Sequence, residues 1–445
     1  MKRLAIATAK MLVEKVPACI GTRVSALPFR YRLGTSYDRI VSGISEFEIL
    51  PAAEKEDVIF RHFSHLVHMA YEKIPFYKDF YREHGFTPRD LGSFGDISKV
   101  PIVKKENLQR WPLISRQQDG MSGRVMNTGG TSGQPLNLVQ DNGAYQREWA
   151  HMHTIWRQLG YRSDQIKLTV RGRDIGPNPL KYNFTQNEFQ VNAVCELDDL
   201  YDALRSILRK YKISYLHGYP SAIYELTSSL HHDDQDLLGA LKLNLKGIFL
   251  GSEYPAPPYR KLISEVWDVP TLSWYGHTEM AVLAPERDEP YLYYPFQTYG
   301  YAEAEIIDGA HHLIGTTLHN QVGPLIRYDT GDLIEPVAFE GDVLRSFRIK
   351  EGRIGDFVTD LSGRRIALTA LIFGRHHKLF EVAEFIQIRQ KIPGEITVYI
   401  TSRGDIPCPS DLFNSSDINM KIEFEIVQSP IRSKLGKTPL LLHNV

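Results

Sequence analysis

The chain has 445 residues, a length that at about 150 residues per domain predicts two or three domains. Lys and Arg number 52 against 53 Asp and Glu, a net charge of −1, which argues against nucleic acid as the main partner. A hydrophobic share of 42% with 24% charged residues excludes disorder as the main state. Cys19, Cys195 and Cys408 are widely spaced, odd in number and form no CxxC pair. They build neither a disulfide framework nor a cysteine metal site, so a reducing, cytoplasmic setting is expected.

In chain order, Lys2 and Arg3 precede a short apolar run, Leu4 to Ala9, that Lys10, Glu14 and Lys15 interrupt. No apolar run nears the ~18 residues of a membrane span. Leu4, Met11, Leu12 and Val16 instead suit an amphipathic helix, packed on the body or making at most a peripheral membrane contact. Residues up to about 110 predict mostly helix, with Ile59, Phe63, Leu66, Val67 and Tyr71 close to a 3.6-residue period. From Met126 the texture becomes Gly-rich loops between strands (Ile166 to Val170, Ile213 to Leu216, Gly247 to Leu250) and helices (Asp199 to Tyr211, Tyr219 to Leu230). Such alternation predicts a layered α/β domain. Beyond Glu351, three alternating runs (Phe385 to Arg389, Ile396 to Thr401, Ile422 to Val427) and a helix around Pro409 to Met420 predict a small α+β domain. The expected division is 1–351 and 352–445, hinged near Gly352.

Asn127-Thr128-Gly129-Gly130-Thr131-Ser132-Gly133-Gln134-Pro135 is the strongest local signal. Its glycines allow tight turns, and its hydroxyls and backbone N–H groups suit a polyanion. No Lys follows in the Walker position, so it is not a P-loop. Four further segments stand in order behind it. Ser273-Trp274-Tyr275-Gly276-His277-Thr278-Glu279 sets a carboxylate, a hydroxyl and an aromatic ring around one glycine. Arg327-Tyr328-Asp329-Thr330-Gly331-Asp332 offers an acid on a turn. Gly352-Arg353 to Asp356 follows at the domain change, and Ser433-Lys434-Leu435-Gly436-Lys437 brings lysines to a terminal turn. Singly, each is also an ordinary Asx turn or a solvated charge.

Together the five segments resemble the adenylate-forming superfamily of acyl- and aryl-CoA synthetases. Ile74-Pro75-Phe76-Tyr77, the run Val100-Pro101-Ile102-Val103-Lys104-Lys105-Glu106-Asn107-Leu108, and His217-Gly218-Tyr219-Pro220-Ser221 are similar, more narrowly, to phenylacetate–CoA ligases and their capsular-polysaccharide relatives. The resemblance implies that superfamily's fold: a large layered N-terminal α/β domain with a small mobile C-terminal α+β domain. It implies ATP-dependent activation of a carboxylic acid as an acyl-adenylate, with pyrophosphate released. Thr128, Gly129, Gly130, Thr131, Ser132 and Gly133 would cradle phosphates. Glu279 would ligate Mg²⁺, Thr278 would bond the α-phosphate, and Tyr275, Gly276 and the turn Gly251-Ser252-Glu253 would bracket adenine. Asp332 would accept from the ribose hydroxyls, Arg353 would fix the ribose side, and Lys437 would act on charge developing at the α-phosphate. His217, Tyr219, Trp274 and His277 are expected in the wall of the acid pocket, which leaves an aryl, hydroxy, amino or uronic acid open.

One departure bears on the acceptor. Relatives carry Asp or Lys two positions after the hinge arginine, where this chain has Gly355, and the stretch from Arg353 to Gly363 is longer by a residue. Two acceptors therefore stay open: CoA, or an amine or hydroxyl compound such as a sugar. Two other functions also stay open, a non-catalytic nucleotide-binding relative and a sugar-nucleotide transferase.

Overall fold

The computed structural model describes residues 16–445 apart from 26, 128–135, 172–174, 193–194, 254, 256, 352–356, 369–370, 373–376, 384, 403, 405, 407, 416–417, 429–430, 432–440 and 443–445. Its N-terminal helices include α1 (Ser36–Glu48), α2 (Ala52–Lys73) and α3 (Pro75–Glu83). The periodicity read in α2 is real: Ile59, Phe63, Leu66, Val67 and Ala70 all face one core. Pro75 explains the break after it. The residue before a proline is driven out of the helical region, and Ile74 sits at φ −119°, ψ 110° while Pro75 opens α3.

Strands β1 (Arg124–Asn127) and β2 (Asn137–Gln140) form an antiparallel pair. Helix α4 (Ala144–Arg157) then leads into the main sheet. That sheet contains β3 (Ile166–Val170), β4 (Leu180–Asn183), β5 (Glu188–Val191), β6 (Ile213–Gly218), β7 (Gly247–Leu250), β8 (Thr271–Gly276) and β9 (Leu283–Pro285) in the order 4-5-3-6-7-8-9. β5, β3, β6, β7 and β8 run parallel, and β4 and β9 close the edges antiparallel. Helices α5 (Leu197–Leu208), α6 (Pro220–Asp233), α7 (Gln235–Lys242) and α8 (Pro257–Trp267) connect these strands. Parallel strands covered on both faces are apolar throughout, and every residue of β3, β6 and β7 is buried.

A second, antiparallel sheet holds β10 (Tyr301–Ile307), β11 (Ala310–Thr316), β12 (Tyr328–Glu340) and β13 (Val343–Glu351). Beyond residue 356 come a hairpin, β14 (Phe357–Thr359) with β15 (Arg365–Ala367), and a three-stranded sheet, β16 (Phe385–Ile392), β17 (Glu395–Thr401) and β18 (Lys421–Val427). They share a separate core that includes Val358, Ile388, Val398 and Ile400. The three expected strands are present. The expected helix from Pro409 to Met420 is corrected to one turn, Pro409–Leu412. Phe413 leaves it in extended geometry and is buried with its ring stacked on His377 at 4.0 Å. The layered α/β body and the α+β C-terminal unit are as expected, and no described helix is long and apolar enough to cross a membrane.

Candidate active site

Strand β8 and the turn after it carry the 273–279 segment, and a buried ion pair fixes the strand's place. Arg260 of α8 grips Glu286 at 2.6 and 2.9 Å, and also bonds the Thr271 hydroxyl and carbonyl at 2.9 and 3.1 Å. The Glu286 carboxylate accepts in turn from the backbone N–H of Ser273 (2.9 Å) and Tyr291 (2.6 Å). With both partners so satisfied, the pair clamps helix to strand. Removing either would strand a buried charge.

The first chemical contact joins two distant segments. Tyr275 donates its hydroxyl to Asp332 Oδ2 at 2.6 Å. Asp332 is presented by a wired turn: its N–H donates to the Thr330 hydroxyl (3.2 Å), which donates to the Leu313 carbonyl (2.8 Å). Two stretches noted only as family signatures support this turn. Val103 bridges Tyr328 in parallel, with Val103 N–H to Arg327 O and Asp329 N–H to Val103 O both at 2.9 Å. Tyr77, fully buried, donates its hydroxyl to Pro324 O at 2.8 Å and accepts from Ile326 N–H at 3.0 Å.

The second contact orients a carboxylate. Val282 N–H donates to His277 Nε2 at 3.2 Å, so that nitrogen holds a lone pair and the proton sits on Nδ1. Nδ1–H then donates to Glu279 Oε2 at 3.0 Å. Gln140, at the end of β2, donates to the Thr278 carbonyl at 3.1 Å. One arm of the hairpin that flanks residues 128–135 thus adjoins Thr278 and Glu279 at its far end. A cavity opens beside Glu279, lined also by Gln140, Arg147, Tyr299 and His319.

At the carboxyl ends of β6 and β8 the rings of His217 and Trp274 stack at 6.1 Å. Trp274 lies so close over Gly251 that a Cβ there would meet the indole at 2.1 Å. This close approach requires glycine. Ser252 follows with φ 69°, and Glu253 completes the turn. Tyr219 opens α6, held by its N–H on Val170 O at 3.1 Å. The rings of Tyr275 and His277 lie 5.8 Å apart, so the two contacts belong to one site. Open parallel sheets bind ligands at this edge, outside the carboxyl ends of their strands.

Of the expected residues, the fold brings together His217, Trp274, Gly251, Ser252, Glu253, Tyr275, Gly276, His277, Thr278, Glu279 and Asp332. Thr128 to Gly133, Arg353 and Lys437 lie outside the described residues. The sequence reading passed over Gln140, Arg260 and Glu286. No spacing rule marks Arg260 and Glu286, 26 positions apart. Val100 to Leu108 and Ile74 to Tyr77 did carry a signal, but one of likeness without a role.

Carboxylate, phenol and imidazole thus gather at the carboxyl edge of a mostly parallel sheet, followed by a separate α+β unit. The chain has the fold of the adenylate-forming CoA ligases. It is similar to 2-hydroxyisobutyryl-CoA ligase, solved with 2-hydroxyisobutyryl-AMP and CoA in the thioesterification state, with TM-score 0.54 and 19% identity over 88% of this chain and 90% of that one. The same ligase in its postadenylation state gives TM-score 0.53 and 18% identity over 89% and 90%. Among curated proteins it is similar to Protein CapK of Staphylococcus aureus, 22% identical over 296 residues, which span 64% of each chain. No protein-family model matches the chain.

Proposed function

We propose that this protein is an AMP-forming carboxylate ligase. It joins ATP and an acid into an acyl-adenylate with loss of pyrophosphate, then hands the acyl group to an acceptor. The observation that carries the reading is the union of Tyr275, Asp332, His277 and Glu279 at one strand edge, across 57 residues of sequence.

The donor set suits this use. Asp332 keeps one carboxylate oxygen for ribose hydroxyls while Tyr275 holds the other. Mg²⁺ characteristically takes one or two carboxylates together with phosphate oxygens, and Glu279, aimed by His277, is such a ligand. When bound, the metal would lower the barrier to bringing an anion onto a polyanion. Lys437 is assigned the charge that develops on the α-phosphate, Thr278 a bond to that phosphate, and the 128–133 loop the departing phosphates. CoA is the first acceptor to test, supported by the likeness to a CoA ligase. The Gly355 departure and the polysaccharide branch of the sequence resemblance support an amine or sugar hydroxyl as the second.

The test is ATP, Mg²⁺ and a panel of acids with pyrophosphate followed, then single-turnover transfer to CoA or amines. Acid-dependent pyrophosphate is expected; inorganic phosphate as the sole product would reject the ligase reading.

A further inference from the structure

Arg171 directly follows β3, at the same edge as His217 and Trp274. In register, Thr169 faces His217 and Val170 faces Gly218, and the strands approach so tightly that a Cβ on Gly218 would meet Val170 O at 1.9 Å. Arg171 Nη2 lies 3.2 Å from His217 Nε2. A guanidinium only donates, so His217 Nε2 accepts and Nδ1 bears the proton. Nδ1 faces the Thr169 hydroxyl at 3.4 Å, and that hydroxyl donates to Glu188 Oε2 at 2.7 Å. This buried chain has one direction, from Arg171 through a neutral His217 and Thr169 to Glu188. Burial, with Arg171 and Lys167 nearby, holds His217 well below its ordinary pKa, so it stays neutral and accepts from the guanidinium.

No described carboxylate stands within ion-pair distance of Arg171, and its Nε is buried without a hydrogen-bond partner among the described residues. Glu188, which feels both Lys167 and Arg171, is already engaged by Thr169, Asn183 and Gln190, with Lys167 at 4.0 Å, so two cations share its one charge. Glu148 of α4 feels both Arg171 and His277. It takes the Tyr299 hydroxyl, and burial pushes its carboxyl up towards the neutral form. A guanidinium stays charged, and a half-buried one with no carboxylate of its own in ion-pair contact is costly.

We infer that Arg171, held by His217 and walled by Trp274, is the specificity residue of the acid pocket and binds a second anionic oxygen group of the substrate, which makes that substrate a dicarboxylate or similarly doubly anionic acid. The inference rests on the ligase reading. Glu148, which feels both Arg171 and His277, links this end to the Glu279 side, where the carboxylate to be activated would lie while the far one meets Arg171. A fork of N–H donors matches a carboxylate in two bonds.

The experiment sets straight-chain dicarboxylates from malonate to adipate against monocarboxylates of equal carbon number and phenylacetate. It reads kcat/KM for pyrophosphate release and calorimetric binding of each acid without ATP. Wild type should prefer a dicarboxylate. In Arg171→Met the ratio of dicarboxylate to monocarboxylate kcat/KM should fall by about 10- to 100-fold, and Arg171→Lys should restore part of it. Preference for monocarboxylates by wild type, which needs no variant to fold, would overturn the pocket and leave the ligase standing. Arg171-dependent dicarboxylate binding without pyrophosphate release would keep the pocket and reject the ligase. Neither binding nor release would overturn both.

Discussion

Tyr77 lies far in sequence from the Asp332 turn, yet its single hydroxyl satisfies both the Pro324 carbonyl and the Ile326 N–H in a buried place. Tyr77→Phe leaves both unpaired, so denaturant unfolding should show a loss of about 1–3 kcal/mol. A loss too small to resolve would mean that the 324–326 backbone finds other partners. Asp332, proposed to hold the ribose, behaves differently because such bonds would exist before and after the chemical step. Asp332→Ala should weaken ATP by about 1.5–3 kcal/mol per lost charge-assisted bond, and unchanged ATP affinity by calorimetry would place the ribose elsewhere. Lys437 is assigned to developing charge, so Lys437→Ala should slow adenylate formation about 100-fold with ATP binding kept within a few-fold. Unaltered pyrophosphate release would shift that role to Lys434. These residues show what the sequence reveals at this scale. Glu279 and Asp332 were singled out because motif order marks them. Arg171 was not, because a lone arginine after an apolar strand looks like any solvated charge until its neighbours are known.

Among the elements, buried strands were read best, since an apolar run such as Ile213 to Leu216 has one stable home in a covered parallel sheet. The helix after Pro409 was read worst. Its start was correct, but a tertiary contact, Phe413 on His377, overrides the local pattern beyond one turn. The β14–β15 hairpin could not be placed from sequence either. Asp360 folds into its own turn and accepts from Ser362 N–H, Ser362 Oγ and Arg364 N–H at 2.9, 2.6 and 2.9 Å. The hairpin then leans on the large body, where Arg365 Nη1 reaches the Tyr259 hydroxyl at 3.5 Å. Under it lies Glu225 of α6. Burial, reinforced by Glu253, pushes its carboxyl up to about 8 against the opposing pull of Arg364 and Arg365. A carboxyl raised in the folded state keeps its proton there while the unfolded chain has lost it. The folded state is therefore favoured most at low pH, and that advantage fades as pH climbs from the ordinary carboxyl value through about 8. Glu225→Gln cannot ionise, so its melting temperature should fall less than that of wild type between about pH 5 and about pH 9. Superimposable profiles would mean that Glu225 is solvated.

For the whole molecule, the layered body was legible from strand–helix alternation, and the C-terminal unit from a change of texture near residue 351. The contact between them was not, because it depends on long-range neighbours such as Arg365 and Tyr259. That contact bears on the order of events. With the hairpin seated against α6 and α8, the segment from Asp360 to Arg365 stands close to Glu225, which also feels Glu253 of the Gly251-Ser252-Glu253 turn. In the two-step scheme we propose, adenylation instead needs Lys437 of the same unit next to the α-phosphate. One unit cannot offer both faces to one site, so it must turn between half-reactions, and residues 352–356 are the proposed pivot. Gly355→Pro restricts φ to about −65° at that pivot and removes an N–H donor. If the orientation with the hairpin seated serves acyl transfer, a pivot stiffened away from it should spare adenylate formation from ATP and slow transfer from preformed acyl-adenylate. The check is to measure both half-reactions separately, with CoA and then an amine as acceptor, in wild type and variant. A loss of equal size in the two would remove the turning step from the scheme.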